Sequence, residues 1–139
     1  MDYFSRSLFR EAPVLAVREA AEEIKMEEGI MKVGIIRCQL TEDMCPGSTD
    51  FKVAKEGSNA FAEIGPVDII GFLSCGGCSG KKAVTRAKML VDRGAEAIVF
   101  ASCMKKGTPI GYPCPHFGAI KDAVERKIGS EAKIIDWTH

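Results

Sequence analysis

The chain has 139 residues, in which 19 lysines and arginines balance 19 aspartates and glutamates. That length suits one domain with a core that needs no covalent staples, and the absence of net charge argues against a nucleic-acid binder working through a large basic field. No window approaches the ~18 apolar residues of a membrane span, and Glu11, Arg18, Glu19, Glu22 and Glu23 break up any signal-like stretch near the start. The expected setting is therefore the reducing cytoplasm, where the six cysteines serve as metal ligands or redox groups before they serve as bridges.

In chain order, the first periodic segment runs from Pro13 to Glu28. Val14, Val17, Ala21 and Ile24 fall on one helical face, Glu22, Glu23, Glu27 and Glu28 fall largely on another, and Gly29 supplies a stop. Met31 then opens a self-sufficient strand. Residues 1–30 accordingly read as an N-terminal helical extension, suited to covering a sheet face or to joining copies of the chain in a homo-oligomer, and 31–139 as the domain proper.

From Met31 onward strands and helices alternate. The pattern predicts a strand from Lys32 to Arg37, a helix from about Phe51 to Ile64, a strand from Val67 to Ser74 and a helix from Ser79 to Arg93. A strand from Ala95 to Ser102, a helix from His116 to Ile128 and a strand from Lys133 to Trp137 complete the series. Alternation of this kind implies right-handed crossovers and a parallel sheet. The expected fold class is α/β: a three-layer α/β/α arrangement around a mainly parallel four-stranded sheet in the flavodoxin-like order 2-1-3-4. Asp68 to Leu73 and Ala97 to Ala101 are nearly continuous apolar runs, as strands covered on both faces are. Gln39 to Asp50 and Met104 to Pro115 are long and irregular, and loops of that size in a small domain usually carry function.

The cysteines follow this frame. Cys38, Cys75 and Cys103 end the first three apolar runs, Cys78 follows Cys75 through two glycines, and Cys45 and Cys114 lie in the two long loops. The carboxyl ends of parallel strands are where open α/β sheets bind ligands. Adjacent strands are ~4.8 Å apart, so Cys75 and Cys103 should flank Cys38 on an arc of ~10 Å, which side-chain and loop reach can close to the ~2.3 Å metal–sulfur distances of a tetrahedral thiolate site. His116, in Cys114-Pro115-His116, is a further candidate ligand, and His139 follows the last strand. Arg37, Lys81, Lys82, Lys105 and Lys106 stand close in sequence and are expected to lower the thiol pKa values. Packing alone accounts for one buried cysteine at a strand end; it does not account for this set.

Cys38 after the first strand, Cys75-Gly76-Gly77-Cys78, Cys103 and Cys114-Pro115-His116, in that order, resemble the CGGC domain family over about Met31 to His139. The resemblance implies metal or zinc binding and names no reaction. Together with the residues themselves it predicts a metal-binding protein whose donors come from Cys38, Cys45, Cys75, Cys78, Cys103, Cys114 and His116, with zinc ahead of an iron–sulfur centre. The alternative is a thiol–disulfide oxidoreductase in which Cys75 attacks and Cys78 resolves. A cysteine-phosphatase cradle fits poorly, because Lys81 stands where that loop needs the bidentate fork of arginine.

Overall fold

The alternation read from the sequence is realised in the computed structural model, which describes residues 30–109 and 111–139. The helix expected between Pro13 and Glu28 lies outside the described residues. Within the unit Met31–His139, β1 (Lys32–Arg37), β2 (Asp68–Ser74), β3 (Ala97–Phe100) and β4 (Lys133–Ile135) form a four-stranded sheet in the order β2-β1-β3-β4, with every pairing parallel. Helices α1 (Ser48–Glu56), α2 (Lys81–Asp92), α3 (Ser102–Lys105) and α4 (Phe117–Ile128) make the connections, with short 3₁₀ turns at Gln39–Thr41 and Asn59–Phe61.

Side-chain alternation along β2 assigns the layers. Phe72 stacks on Phe51 of α1, with ring centroids 5.0 Å apart. The preceding residue, Gly71, points the other way: a Cβ there would stand 2.3 Å from Cδ2 of Leu90 in α2. The two helices thus cover opposite faces, as successive right-handed crossovers to opposite sides of β1 require. Gly34, the β1 partner of Gly71, is under the same constraint: a Cβ there would stand 2.6 Å from Leu90 Cδ1. The two glycines together open a recess in the sheet, and Leu90 fills it. α4 packs beside α2, with Phe117 meeting Phe100 edge-on at 5.5 Å. β3 is fully buried, as its apolar run predicts, whereas β2 lies at the sheet edge and its residues from Ile69 to Ser74 are half-buried.

Several elements are shorter than their patterns, for local reasons. The first crossover helix ends at Glu56 because Gly57 adopts a left-handed conformation and its N–H closes onto the Val53 carbonyl. The remaining apolar positions, including fully buried Phe61, pack from a 3₁₀ turn instead. α2 starts at Lys81, after left-handed Gly80. β3 ends at Phe100, so Cys103 does not close a strand; it sits in the single-turn helix α3 just beyond. β4 ends at Ile135, the partner of Val99, one residue before the end of β3. Among the described residues no helix is long and apolar enough to cross a membrane.

Candidate functional site

The carboxyl ends of β1, β2 and β3 are adjacent, and each delivers a thiol. Cys38 follows β1 directly and Cys75 follows β2 directly. The Cys75 N–H donates to the Arg37 carbonyl at 2.7 Å, so the β1–β2 ladder continues into the Cys75-Gly76-Gly77-Cys78 turn. On the other side of β1 the matching bond has changed character: the Cys38 N–H donates to Cys103 Sγ at 3.2 Å, because β3 has given way to α3. The loop after α3 returns to the same edge, and the Cys114 N–H donates to the Met104 carbonyl at 2.8 Å. All six cysteines are unpaired; Cys38, Cys75 and Cys103 are buried, Cys45 and Cys114 half-buried, and Cys78 exposed.

The thiols lie in one another's field. Burial pushes the Cys38 thiol up from its ordinary pKa, the backbone N–H of Leu40 draws it partly down, and the Cys75 and Cys114 thiols push it up again. Cys103 is likewise raised, first by burial and further by Cys38 and Asp50, against the opposing hydrogen bonds from the Cys38 N–H and Thr41. Cys114 is raised by burial and by Cys75, Cys78 and Cys103, with the His116 N–H opposing. Cys38, Cys75, Cys78, Cys103 and Cys114 are thus near neighbours at this edge.

This overturns the expected effect of the neighbouring cations on Cys38, Cys103 and Cys114. Arg37 donates to Thr41 Oγ1 at 3.2 Å and to the Cys45 carbonyl, and lies over the Phe72 ring at 5.5 Å. Lys105 pairs with Asp136 at 2.9 Å, while Lys106 donates to the His139 carbonyl and covers the Trp137 ring at 4.6 Å. Lys81 and Lys82 are exposed. With the charges so engaged, desolvation dominates at these three thiols.

The other candidates divide between two cavities. Cys45 joins Cys103 in lining a cavity of about 250 Å³, whose wall also includes Arg37, Asp50 and His139. His116 precedes α4 and lines another, beside Ser79 and Lys81 at the start of α2; what reaches the thiol group is its backbone N–H. His139 is anchored, with Nε2 3.3 Å from Asp50 Oδ1 and its N–H donated to Ser102 Oγ at 3.0 Å. Sequence reasoning missed the buried polar group behind it. Asp50 accepts from Thr138 Oγ1 at 2.5 Å, and Thr138 Oγ1 accepts from the Ser102 N–H at 3.2 Å. These residues come from three distant segments with no spacing to link them; their one signal is adjacency to Cys103 and His139.

The CGGC domain model matches residues 32–139. The chain belongs to the CGGC domain family. An uncharacterized protein of Methanocaldococcus jannaschii is 37% identical over 110 residues, covering 75% of this chain and 81% of that one. No solved structure matches. The CGGC match coincides with the unit Met31–His139 and takes in every thiol of the edge.

Proposed function

We propose that the CGGC domain binds a soft metal ion at this edge, with Cys38, Cys75, Cys103 and Cys114 as the core of the donor set and Cys78 as the exposed fifth sulfur. The observation that carries the reading is the placement of Cys38 and Cys75 directly after the adjacent strands β1 and β2, with the Cys103 sulfur 3.2 Å from the Cys38 N–H beside them. Burial makes Cys38, Cys103 and Cys114 costly to ionise, and a soft cation that takes the place of their protons offsets that cost.

Thiolate donors suit zinc, or an iron–sulfur centre as the alternative. Among the described residues no three or more His, Cys, Asp or Glu side chains are already disposed to hold an ion, so binding has to draw sulfurs together. The Cys75–Cys78 turn has the freedom to do so, since Gly76 and Gly77 both have positive φ, 83° and 100°. Zinc held by four thiolates has no open position, and the reading therefore assigns binding without hydrolysis. Cys45 and His116 belong to the periphery of the proposal.

The test is anaerobic titration of the reduced, metal-free chain with Co²⁺ and then Zn²⁺. One equivalent should bind with a thiolate-to-cobalt charge-transfer band that zinc bleaches, and Cys103→Ser should weaken binding by about ten-fold or more. A titration without that band, together with sub-stoichiometric metal in anaerobically purified protein, sinks the reading.

The contrast between Cys75 and Cys78 supports a second reading, thiol–disulfide exchange. Cys78 is exposed and Cys75 buried, so a protein disulfide meets Cys78 first and Cys75 resolves, the reverse of the order expected from the sequence. Turnover of a model disulfide that survives Cys78→Ser would rule this out.

A further inference from the structure

We infer that the cavity between β1 and the N-terminus of α1 is a binding site for a small oxyanion of the phosphate or sulfate type, with Arg37 as its counter-charge. The inference does not depend on metal binding at the thiols, although Cys103 and the peripheral Cys45 line this cavity too.

Two independent features converge on this cavity of about 250 Å³. The first is Arg37. It ends β1 on the face carrying Phe72, it is only 8% exposed, and among the described residues no carboxylate pairs with it. A guanidinium carries five N–H donors. Both hydrogen bonds to Thr41 Oγ1 and the Cys45 carbonyl leave from the same nitrogen, Nη2, while the Nε and Nη1 protons have no acceptor among the described residues. Its guanidinium lies over the Phe72 ring at 5.5 Å, and the residue lines the cavity. Unmet donors on a buried charge are costly, and a planar fork of this kind matches an oxyanion.

The second feature is the start of α1. Its N-cap is Gly47, with φ 84° and no capping side chain, so the first N–H groups of a nine-residue helix lack the usual acceptor. Ser48, Thr49 and Asp50, which form that first turn, line the same cavity as Arg37. The helix end adds its positive pole and the Ser48 and Thr49 hydroxyls add donors. The Asp50 carboxylate on the same wall opposes an anion; its Oδ1 accepts from Thr138 Oγ1 at 2.5 Å and lies 3.3 Å from His139 Nε2.

Calorimetric titration of the full chain with inorganic phosphate, in reductant and chelator and at constant ionic strength against chloride, tests the assignment. Saturable binding is expected, with sulfate competing. Arg37→Met should weaken it by about ten-fold or more, the loss expected when charge-assisted hydrogen bonds are removed. Should that buried substitution fail to fold, Ser48→Glu decides alone: an exposed acid in the first helical turn suits α1 yet repels the anion. Phosphate heats no larger than the chloride control, or phosphate affinity unchanged in Ser48→Glu, overturn the inference.

Discussion

The backbone N–H of Cys38 donates to the sulfur of Cys103 across 3.2 Å, at the point where β1 outlasts β3. A strand ladder would put a carbonyl there. A sulfur in its place ties the ionisation of one thiol to the backbone of the next, since a thiolate accepts this bond better than a thiol does. The ends of the strands and the chemistry of the edge are thus one feature.

The raised thiols set the pH dependence of the metal-free protein. A thiol whose folded pKa exceeds its unfolded value holds its proton more tightly when native. Its contribution is complete below the unfolded value of ~8.5 and is lost as pH climbs through the folded one. Cys38, Cys103 and Cys114 all shift in this direction. In chelator and reductant the melting temperature should therefore decline as pH rises above about 8.5, each thiol contributing at most ~1.4 kcal/mol per pH unit. Cys103→Ala should flatten the decline. A melting temperature that rises over this window would contradict the raised values, as would a variant slope equal to that of wild type.

Native-state alkylation should separate the thiols. Cys78 is exposed, whereas Cys38, Cys75 and Cys103 are buried. Brief treatment with iodoacetamide, read by mass spectrometry of peptides, should label Cys78 first and Cys38 and Cys103 last. Labelling Cys75 ahead of Cys78 would contradict the described exposure and restore the attacking role expected for Cys75 from sequence. Bound zinc should slow the labelling of Cys78 if that sulfur joins the donor set.

The group behind His139 should matter for stability. Thr138 is fully buried, donates to Asp50 and accepts from the Ser102 N–H. Thr138→Val keeps the shape, removes both bonds, leaves Asp50 Oδ1 with His139 Nε2 alone and strands the buried Ser102 N–H. A loss of about 1–3 kcal/mol in urea unfolding is expected. A change below the error of the fit would mean that water replaces the hydroxyl.

The thiol edge was legible in part, and the boundary is physical. Continuous apolar runs that stop at Arg37 and Ser74 announce where strands end, so Cys38 and Cys75 could be located at the edge. Cys103 was assigned to the correct edge but to the wrong element: the apolar run from Ala97 continues to Ala101 without a glycine or proline to mark a turn, whereas the strand ends at Phe100 and Ser102–Lys105 form α3. Arg37 looked like a cation for the thiols because sequence nearness does not reveal that its charge is turned toward Thr41 and Phe72. Asp50 was invisible as a core residue, since a carboxylate is buried only when partners reach it, and Thr138 is 88 residues away.

The position of Cys114 rests on the turn at Gly107. The loop must reverse there for the Cys114 N–H to meet the Met104 carbonyl at 2.8 Å, and Gly107 does so at φ 82° with its Cα against the returning chain. A Cβ added at this position would stand 2.0 Å from the Tyr112 carbonyl carbon and 2.5 Å from the Pro113 nitrogen, both backbone atoms that cannot rotate away. Gly107→Ala should therefore cost the ~1–2 kcal/mol of a left-handed alanine and also push the loop outward. Cys114 would leave the field of Cys75 and Cys103, so native alkylation of Cys114 should accelerate while that of Cys38, held by β1, stays slow. Cobalt affinity should fall with it. Should Gly107→Ala speed Cys114 labelling while cobalt affinity is unchanged, Cys114 is not one of the metal's sulfurs and the fourth donor is Cys78.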